Sequence, residues 1–176
     1  MIRQTISEML KSSFPNITFP SNKYIDLIEP EGHISDKLYF NNLTNENELY
    51  EILNRTNNIF KHTPRYCQFD YIAETENANI FIELKSRNVN INQYKSTIFP
   101  INKIEYYRKL KRINREVNNV LILIFSFIDD NANNKYYYIQ YNNELFSTYK
   151  KMKLPNGEYF NILISDLKPL EALKLI

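Results

Sequence analysis

Apolar residues follow two rhythms along this chain, and each change of rhythm marks an element. Ile2, Ile6, Met9 and Leu10 fall at helical spacing and predict a short amphipathic helix with those side chains inward. Residues 23–43 hold two short runs, YIDLIE and KLYF, on either side of the turn residues Pro30, Glu31 and Gly32, and predict two strands. Asn45 with Glu48 three residues on has the form of a capping box. Leu49, Ile52, Leu53, Thr56, Ile59 and Phe60 then share one face, so a helix is expected from about Glu46 to Lys61.

CQFDYIAET and IFIELKSR are strand-like runs separated by a few polar residues, the sequence form of a β-hairpin. Residues 103–117 return to helical spacing, with Tyr106, Leu110, Ile113 and Val117 on one side. VLILIFSFI, from Val120 to Ile128, is apolar on both faces and predicts a central strand, parallel to IFIELKSR as a helical crossover requires. KYYYIQY and EYFNILI predict further strands, the second after a Pro155-Asn156-Gly157 turn. The polar stretch Asn131 to Asn134 reads as a turn, and neither a repeat nor a Pro- or Ser-rich linker interrupts the pattern. The expected architecture is one α/β domain with a central mixed β-sheet flanked by helices.

Composition narrows the chemistry. A chain of 176 residues, 43% hydrophobic and 14% aromatic, is long and apolar enough for a core without disulfides. Cys67 is the sole cysteine, which excludes an internal disulfide and a cysteine zinc cluster and indicates an intracellular setting. His33 and His62 lie far apart, leaving little for a histidine metal site or a Ser/His/Asp triad. With Gly32 and Gly157 the only glycines, a Gly-rich phosphate loop cannot be written. MIRQTISEMLKSS lacks the apolar core of a signal peptide, and the longest apolar run is about half a membrane span, so a soluble protein without a membrane partner is expected. The richness in Asn, Lys, Ile and Tyr fits an AT-rich genome, a phage or virus among the compatible sources.

The strand IFIELKSR places Glu83 and Lys85 two residues apart, hence on one face. If the hairpin loop is centred on Glu76 and Asn77, Tyr71 faces Ile82 and Asp70 falls opposite Glu83, while Phe69, Tyr71, Ile82 and Leu84 turn the other faces into core. Two carboxylates so placed repel. A hard divalent cation removes that repulsion, since Mg²⁺ takes carboxylate oxygens and water, and the lysine beside it can orient the attacking water or stabilise charge building on a phosphate. The plain alternative for Glu-x-Lys alone is a solvated sheet face.

With these elements in this order, the chain resembles the PD-(D/E)XK nuclease superfamily, whose pattern maps onto Asp70 and Glu83-Leu84-Lys85. Phe69 stands where the family motif carries proline. The resemblance covers about residues 45–128 and implies a restriction-endonuclease-like αβββαβ core there. It implies a metal-dependent nuclease, here expected to be a DNA endonuclease with Mg²⁺ or Mn²⁺ as cofactor. Asp70 and Glu83 would be metal ligands, the Leu84 carbonyl a possible third, and Lys85 would stand beside the attacking water. Some families in the superfamily add a glutamate from the first helix, for which Glu48 and Glu51 are the candidates. Glu48 also serves the capping box, and Glu51 points away from the apolar stripe.

Arg87, Tyr94, Lys95 and Lys103 follow the catalytic strand and are candidates to hold phosphates or stack on a base. Lys103 leads them, because it opens a helix after Pro100 and Asn102. Arg108, Lys111, Arg112 and Arg115 form a basic stripe opposite the apolar face of that helix, and Lys150, Lys151 and Lys153 a second positive cluster. The formal charge of only +2 makes such local clusters the whole of any nucleic-acid footprint. Monomer and homodimer both remain open. The competing reading is an inactive nuclease-fold module that binds or assembles on nucleic acid, disfavoured by the intact Asp/Glu/Lys set. A small-molecule α/β enzyme lacks any nucleotide or nucleophile motif.

Overall fold

Isolated strands of such a sequence would leave their apolar faces in water, and the fold buries them by wrapping helices and a second sheet around one long strand. A computed structural model of the protein describes residues 6–20, 36–55, 59–63 and 67–174. Two helices, α1 (Ile6–Ser13) and α2 (Asp36–Leu53), precede a run of strands: β1 (Lys61–His62), β2 (Tyr71–Glu74), β3 (Ala78–Ser86) and β4 (Ser96–Pro100). Helix α3 (Ile101–Ile113) then leads into β5 (Asn118–Ile128) and β6 (Asn134–Gln140). After α4 (Asn143–Thr148) come β7 (Lys150–Leu154), β8 (Gly157–Leu163) and β9 (Lys168–Pro169).

Six strands form a mixed sheet in the order β1-β2-β3-β5-β6-β9, and β4, β8 and β7 form a three-stranded one. β3 and β5 are parallel over nine register pairs, from Ala78↔Asn118 to Ser86↔Ser126, while the other pairs in both sheets are antiparallel. The apolar run read as a central strand is therefore central. Leu121, Leu123, Phe125 and Phe127 pack on one side with Ile104, Tyr107 and Leu110 of α3 and with Phe99, Phe160 and Ile162 of the smaller sheet. Ile122 and Ile124 pack on the other with Leu49 and Leu53 of α2. The sequence of α2, β1, β2, β3, α3 and β5 around the larger sheet follows the expected αβββαβ order.

The hairpin and its register are as expected, with Tyr71↔Ile82 through Glu74↔Asn79. Thr75 closes the turn by donating from its N–H and hydroxyl to the Ala78 carbonyl and accepting from the Ala78 N–H. The β7–β8 turn is also as expected: Leu154 pairs with Gly157, whose φ of +145° suits a residue without Cβ.

Several boundaries differ. KLYF is not a strand but the first turns of α2, so Asn45 lies in mid-helix rather than at its cap. Helix growth is cooperative, which lets the helix extend through a run too short to claim a strand. It stops at Leu53, not Lys61, because the Asn54 side chain accepts from the Phe60 N–H at 2.9 Å and donates to the Tyr50 and Phe60 carbonyls. Phe60 is buried in the core from outside the helix. YIDLIE and Ile2 lie outside the described residues. In α1 Leu10 is buried but Met9 is 40% exposed.

Helix α3 begins two residues earlier than expected and ends at Ile113, with Asn114 as its cap, so Val117 falls beyond it. Its buried face is Ile101, Ile104, Tyr107 and Leu110, leaving Ile113 exposed and Tyr106 part-buried. The added first turn supplies Ile101, and the face rotates toward it.

Asparagines tie the far end of this crossover. Buried Asn119 donates to the Asn114 and Val117 carbonyls at 2.6 and 2.7 Å and accepts from Asn79 at 3.3 Å. Asn119→Ala strands these groups, and at one unmade bond each it should lower stability by about 2–4 kcal/mol in urea unfolding. A loss below the cost of one hydrogen bond would show that water replaces the side chain.

Candidate active site

The register of the hairpin brings two acids together. β2 ends its ladder at Tyr71↔Ile82, and just beyond it Asp70 lies near enough for the Glu83 charge to act on its carboxyl. The backbone rung is replaced there: the Asp70 N–H donates to the Ile82 carbonyl at 2.9 Å, and the Leu84 N–H donates to the Asp70 carboxylate at 2.6 Å. Because the chain leaves strand geometry at this point, Phe69 does not stay on the Tyr71 side as expected. It packs against Phe81 and Tyr106, at 5.2 and 5.7 Å between ring centroids, on the α3 side. Leu84 itself packs toward α2. N–H and C=O of a strand residue point to the same neighbour, so its carbonyl faces the Asp70 edge beyond the last rung.

Glu83 is 1% exposed and carries the strongest contacts of the site. Its Oε1 lies 2.6 Å from the Lys85 Nζ and 3.0 Å from the Lys103 Nζ. Its Oε2 is buried and has no hydrogen-bond partner. Lys103 also donates to the Gln68 carbonyl at 2.7 Å. The β3-α3-β5 crossover explains why it is there, since α3 starts at the end of β3 that carries Glu83 and Lys85. Expected as a phosphate contact, Lys103 sits at the carboxylates themselves.

Among the glutamates of α2, Glu46 is the one whose charge couples to the carboxylates of the hairpin. Glu48 accepts from the Asn134 amide and the Tyr136 hydroxyl, both at 2.9 Å, and so ties α2 to β6; Glu51 is exposed. Glu46 instead feels both Glu83 and Lys85. Its backbone carbonyl accepts from the Tyr71 hydroxyl at 2.6 Å, which pins this turn of α2 to β2. The signal was present in the sequence: Glu46 stands three and seven residues before Leu49 and Leu53, on the sheet-facing side of a helix that begins at Asp36.

Burial and the neighbouring Glu83 push the Asp70 carboxyl up to about 8, against the opposing hydrogen bond from Leu84 and the charges of Lys85 and Lys103. Glu46 is raised for the same two reasons, with Lys85 opposing. For Lys85 burial pulls the ammonium down, yet Glu83 outweighs it and leaves the group above its ordinary value. Lys85 is thus a full cation at neutral pH. Among the described residues no three His, Cys, Asp or Glu side chains form a metal-ligand cluster. Two carboxylates and a backbone carbonyl are what Asp70, Glu83 and Leu84 present.

The other predicted residues divide. Arg87 is engaged with the protein, its Nε and Nη2 donating to the Thr97 hydroxyl and the Ile98 carbonyl at 2.9 and 2.6 Å. Tyr94 is 59% exposed and Lys95 is exposed. Arg108 is held by the Tyr141 hydroxyl at 2.8 Å and Asn143 at 2.9 Å, on a flank of α3 rather than a free outer stripe. Lys111 and Arg112 are exposed, and Arg115 lies past the helix, 3.5 Å from Glu116. At 1.5 Å per residue, Arg112 lies about 13 Å along the helix axis from Lys103. The basic residues therefore run away from the carboxylates instead of surrounding them.

No helix among the described residues is long and apolar enough to cross a membrane. No protein-family model and no curated protein matches the sequence. Among solved structures the chain is similar to a nuclease from a fusselovirus, with 17% identity, 82% of this chain and 90% of that chain covered, and a TM-score of 0.42.

The raised Asp70 carboxyl gives metal-free stability a direction. The folded protein keeps this proton up to about pH 8, whereas an unfolded aspartate loses it near its ordinary value of about 3.9. Between the two the folded state binds more protons, so stability falls as pH rises through that window. Thermal melts in chelator should show Tm decreasing from pH 5 to pH 8, and Asp70→Asn should flatten the decline and melt higher than wild type at pH 8. A parallel decline in both proteins would remove Asp70 as its source.

Proposed function

We propose that this protein is a divalent-cation-dependent nuclease of the PD-(D/E)XK type that cuts phosphodiester bonds within DNA. The observation that carries the reading is the Glu83 carboxylate, with two ammonium groups on one oxygen and none of its buried neighbours on the other. A buried carboxylate oxygen left bare is costly, and burial together with this same charge raises the neighbouring Asp70 carboxyl.

Asp70, Glu83 and the Leu84 carbonyl are hard oxygen donors, and Mg²⁺ or Mn²⁺ takes few such ligands and completes its shell with water, so the donor set fits. When bound, the ion supplies positive charge that offsets the carboxylate repulsion and polarises the scissile phosphate. The chain does the rest. Lys85 stays protonated against Glu83 and faces the phosphate as a fixed charge, stabilising the negative charge that develops during attack. Lys103 holds the same carboxylate from α3 and adds a second fixed positive charge beside the phosphate. Glu46, with its carboxyl raised, is suited to accept the proton of the attacking water. Lys111, Arg112 and Arg115 lead the polymer along α3.

Calorimetric titration of Mn²⁺ should show a site in wild type that Asp70→Asn loses. Equal binding by both removes Asp70 from the ligands.

Lys85→Ala should retain metal and DNA binding but lower cleavage by about two to three orders of magnitude, as when one preorganised charge is removed. Lys111→Glu with Arg112→Glu should weaken DNA binding and flatten its salt dependence while leaving single-turnover cleavage at saturating DNA nearly unchanged. Plasmid, single-stranded and branched DNA with Mg²⁺ or Mn²⁺ are the substrates to try. Binding without metal-dependent cleavage of any of them would replace the enzyme by a nucleic-acid-binding module.

A further inference from the structure

Past Lys85 the chain builds a feature that the carboxylate centre does not use. A cavity of about 310 Å³ opens between the end of β3, the turn that follows it, and β4. Such a volume is at the small end for a ligand site. Arg87, Asn90, Tyr94, Ile98 and Phe127 line it.

Arg87 is held there from three sides by neutral acceptors. Its Nε donates to Thr97 at 2.9 Å, one Nη to the Ser86 carbonyl at 3.2 Å and the other to the Ile98 carbonyl at 2.6 Å. The guanidinium carbon lies 5.7 Å from the centroid of the Phe125 ring. Among the described residues no carboxylate forms an ion pair with it. A guanidinium has five N–H groups, so two remain, and burial already pulls its pKa down. A fixed, partly desolvated cation without a counter-charge is a place for an anion.

The remaining walls say which anion. Tyr94 offers an exposed ring at the rim, Ile98 and Phe127 an apolar surface, and Asn90 a polar side chain. A flat heterocycle joined to a phosphate matches that combination of arginine, aromatic ring and apolar wall. Position agrees: Arg87 follows β3 two residues after Lys85, and its guanidinium lies by Phe125, the β5 residue paired with Lys85.

We propose that this cavity takes one unpaired nucleotide of the polymer, its phosphate on Arg87 and its base against Tyr94 and the apolar wall. The proposal rests on the nuclease reading of the carboxylate centre and adds a substrate class to it, nucleic acid with a single-stranded segment beside the cut. A continuous duplex keeps its bases inside the stack and cannot fill the cavity without extruding one.

The test is made in chelator, where no cleavage occurs, with a short single strand carrying a fluorescent adenine analogue and with the duplex of the same sequence. Wild type should bind the single strand more tightly and change the fluorescence of the analogue. Tyr94→Ala alters an exposed side chain and so keeps the fold; it should weaken single-strand binding about tenfold and leave duplex binding unchanged. Arg87→Gln should do the same where circular dichroism shows it folded. Equal affinity for single strand and duplex in wild type, or single-strand binding unaffected by Tyr94→Ala, overturns the proposal. Loss of the enzyme reading would show instead as absent cleavage with metal, whatever these binding curves do.

Discussion

Everything at the centre of this protein turns on an unbalanced carboxylate. Glu83 lies on the inner strand pair of the larger sheet, 1% exposed, where an ordinary sequence would place an aliphatic residue. Two ammonium groups crowd one of its oxygens and leave the other bare. Had both lysines divided themselves between the two oxygens, the group would be a satisfied ion-pair triad of the kind that serves only architecture. Burial and the Glu83 charge act together on Asp70, and the cost appears in the proton that Asp70 retains.

The fold is arranged so that this cost can be carried. β5 supplies nearly continuous burial on both faces, and the parallel pairing of β3 with β5 obliges α3 to start beside Lys85. Lys103 is delivered by that crossover. From the other face α2 brings Glu46, held by the bond from the Tyr71 hydroxyl. The hairpin carboxylate and the lysine of the crossover helix thus meet, while Glu46 acts on them electrostatically from α2, which makes the site a product of the sheet rather than of one loop.

The hairpin register and the central strand were legible because they rest on short-range pattern. Period-two alternation and a short polar turn leave one pairing for Tyr71 and Ile82, while the departure beyond it, where the Asp70 N–H turns to the Ile82 carbonyl, lies outside that pattern. The start of α2 was not legible in the same way: KLYF has strand-like composition, and only cooperation with the helix after it decides the outcome. That error displaced the acid on α2, since with Asn45 as a cap Glu46 became the first residue of a helix instead of part of its buried face. Lys103 was found but its salt bridge to Glu83 was not, because that bridge joins positions twenty residues apart through a topology that no local pattern states.

The smaller sheet ends on β7, and its outer strand reads Lys150, Lys151, Met152, Lys153, all exposed. An open strand edge is a template on which a second chain can add by backbone pairing. Here antiparallel pairing of two copies centred on Met152 would set Lys151 of each across from Lys153 of the other, and like charges so placed repel. Charge therefore opposes the pairing of this edge with a second copy of itself. That protection weakens with salt, since a Debye length of about 8 Å at physiological ionic strength shrinks to about 3 Å at 1 M. Concentrated brine is the condition under which this molecule would first meet itself edge to edge.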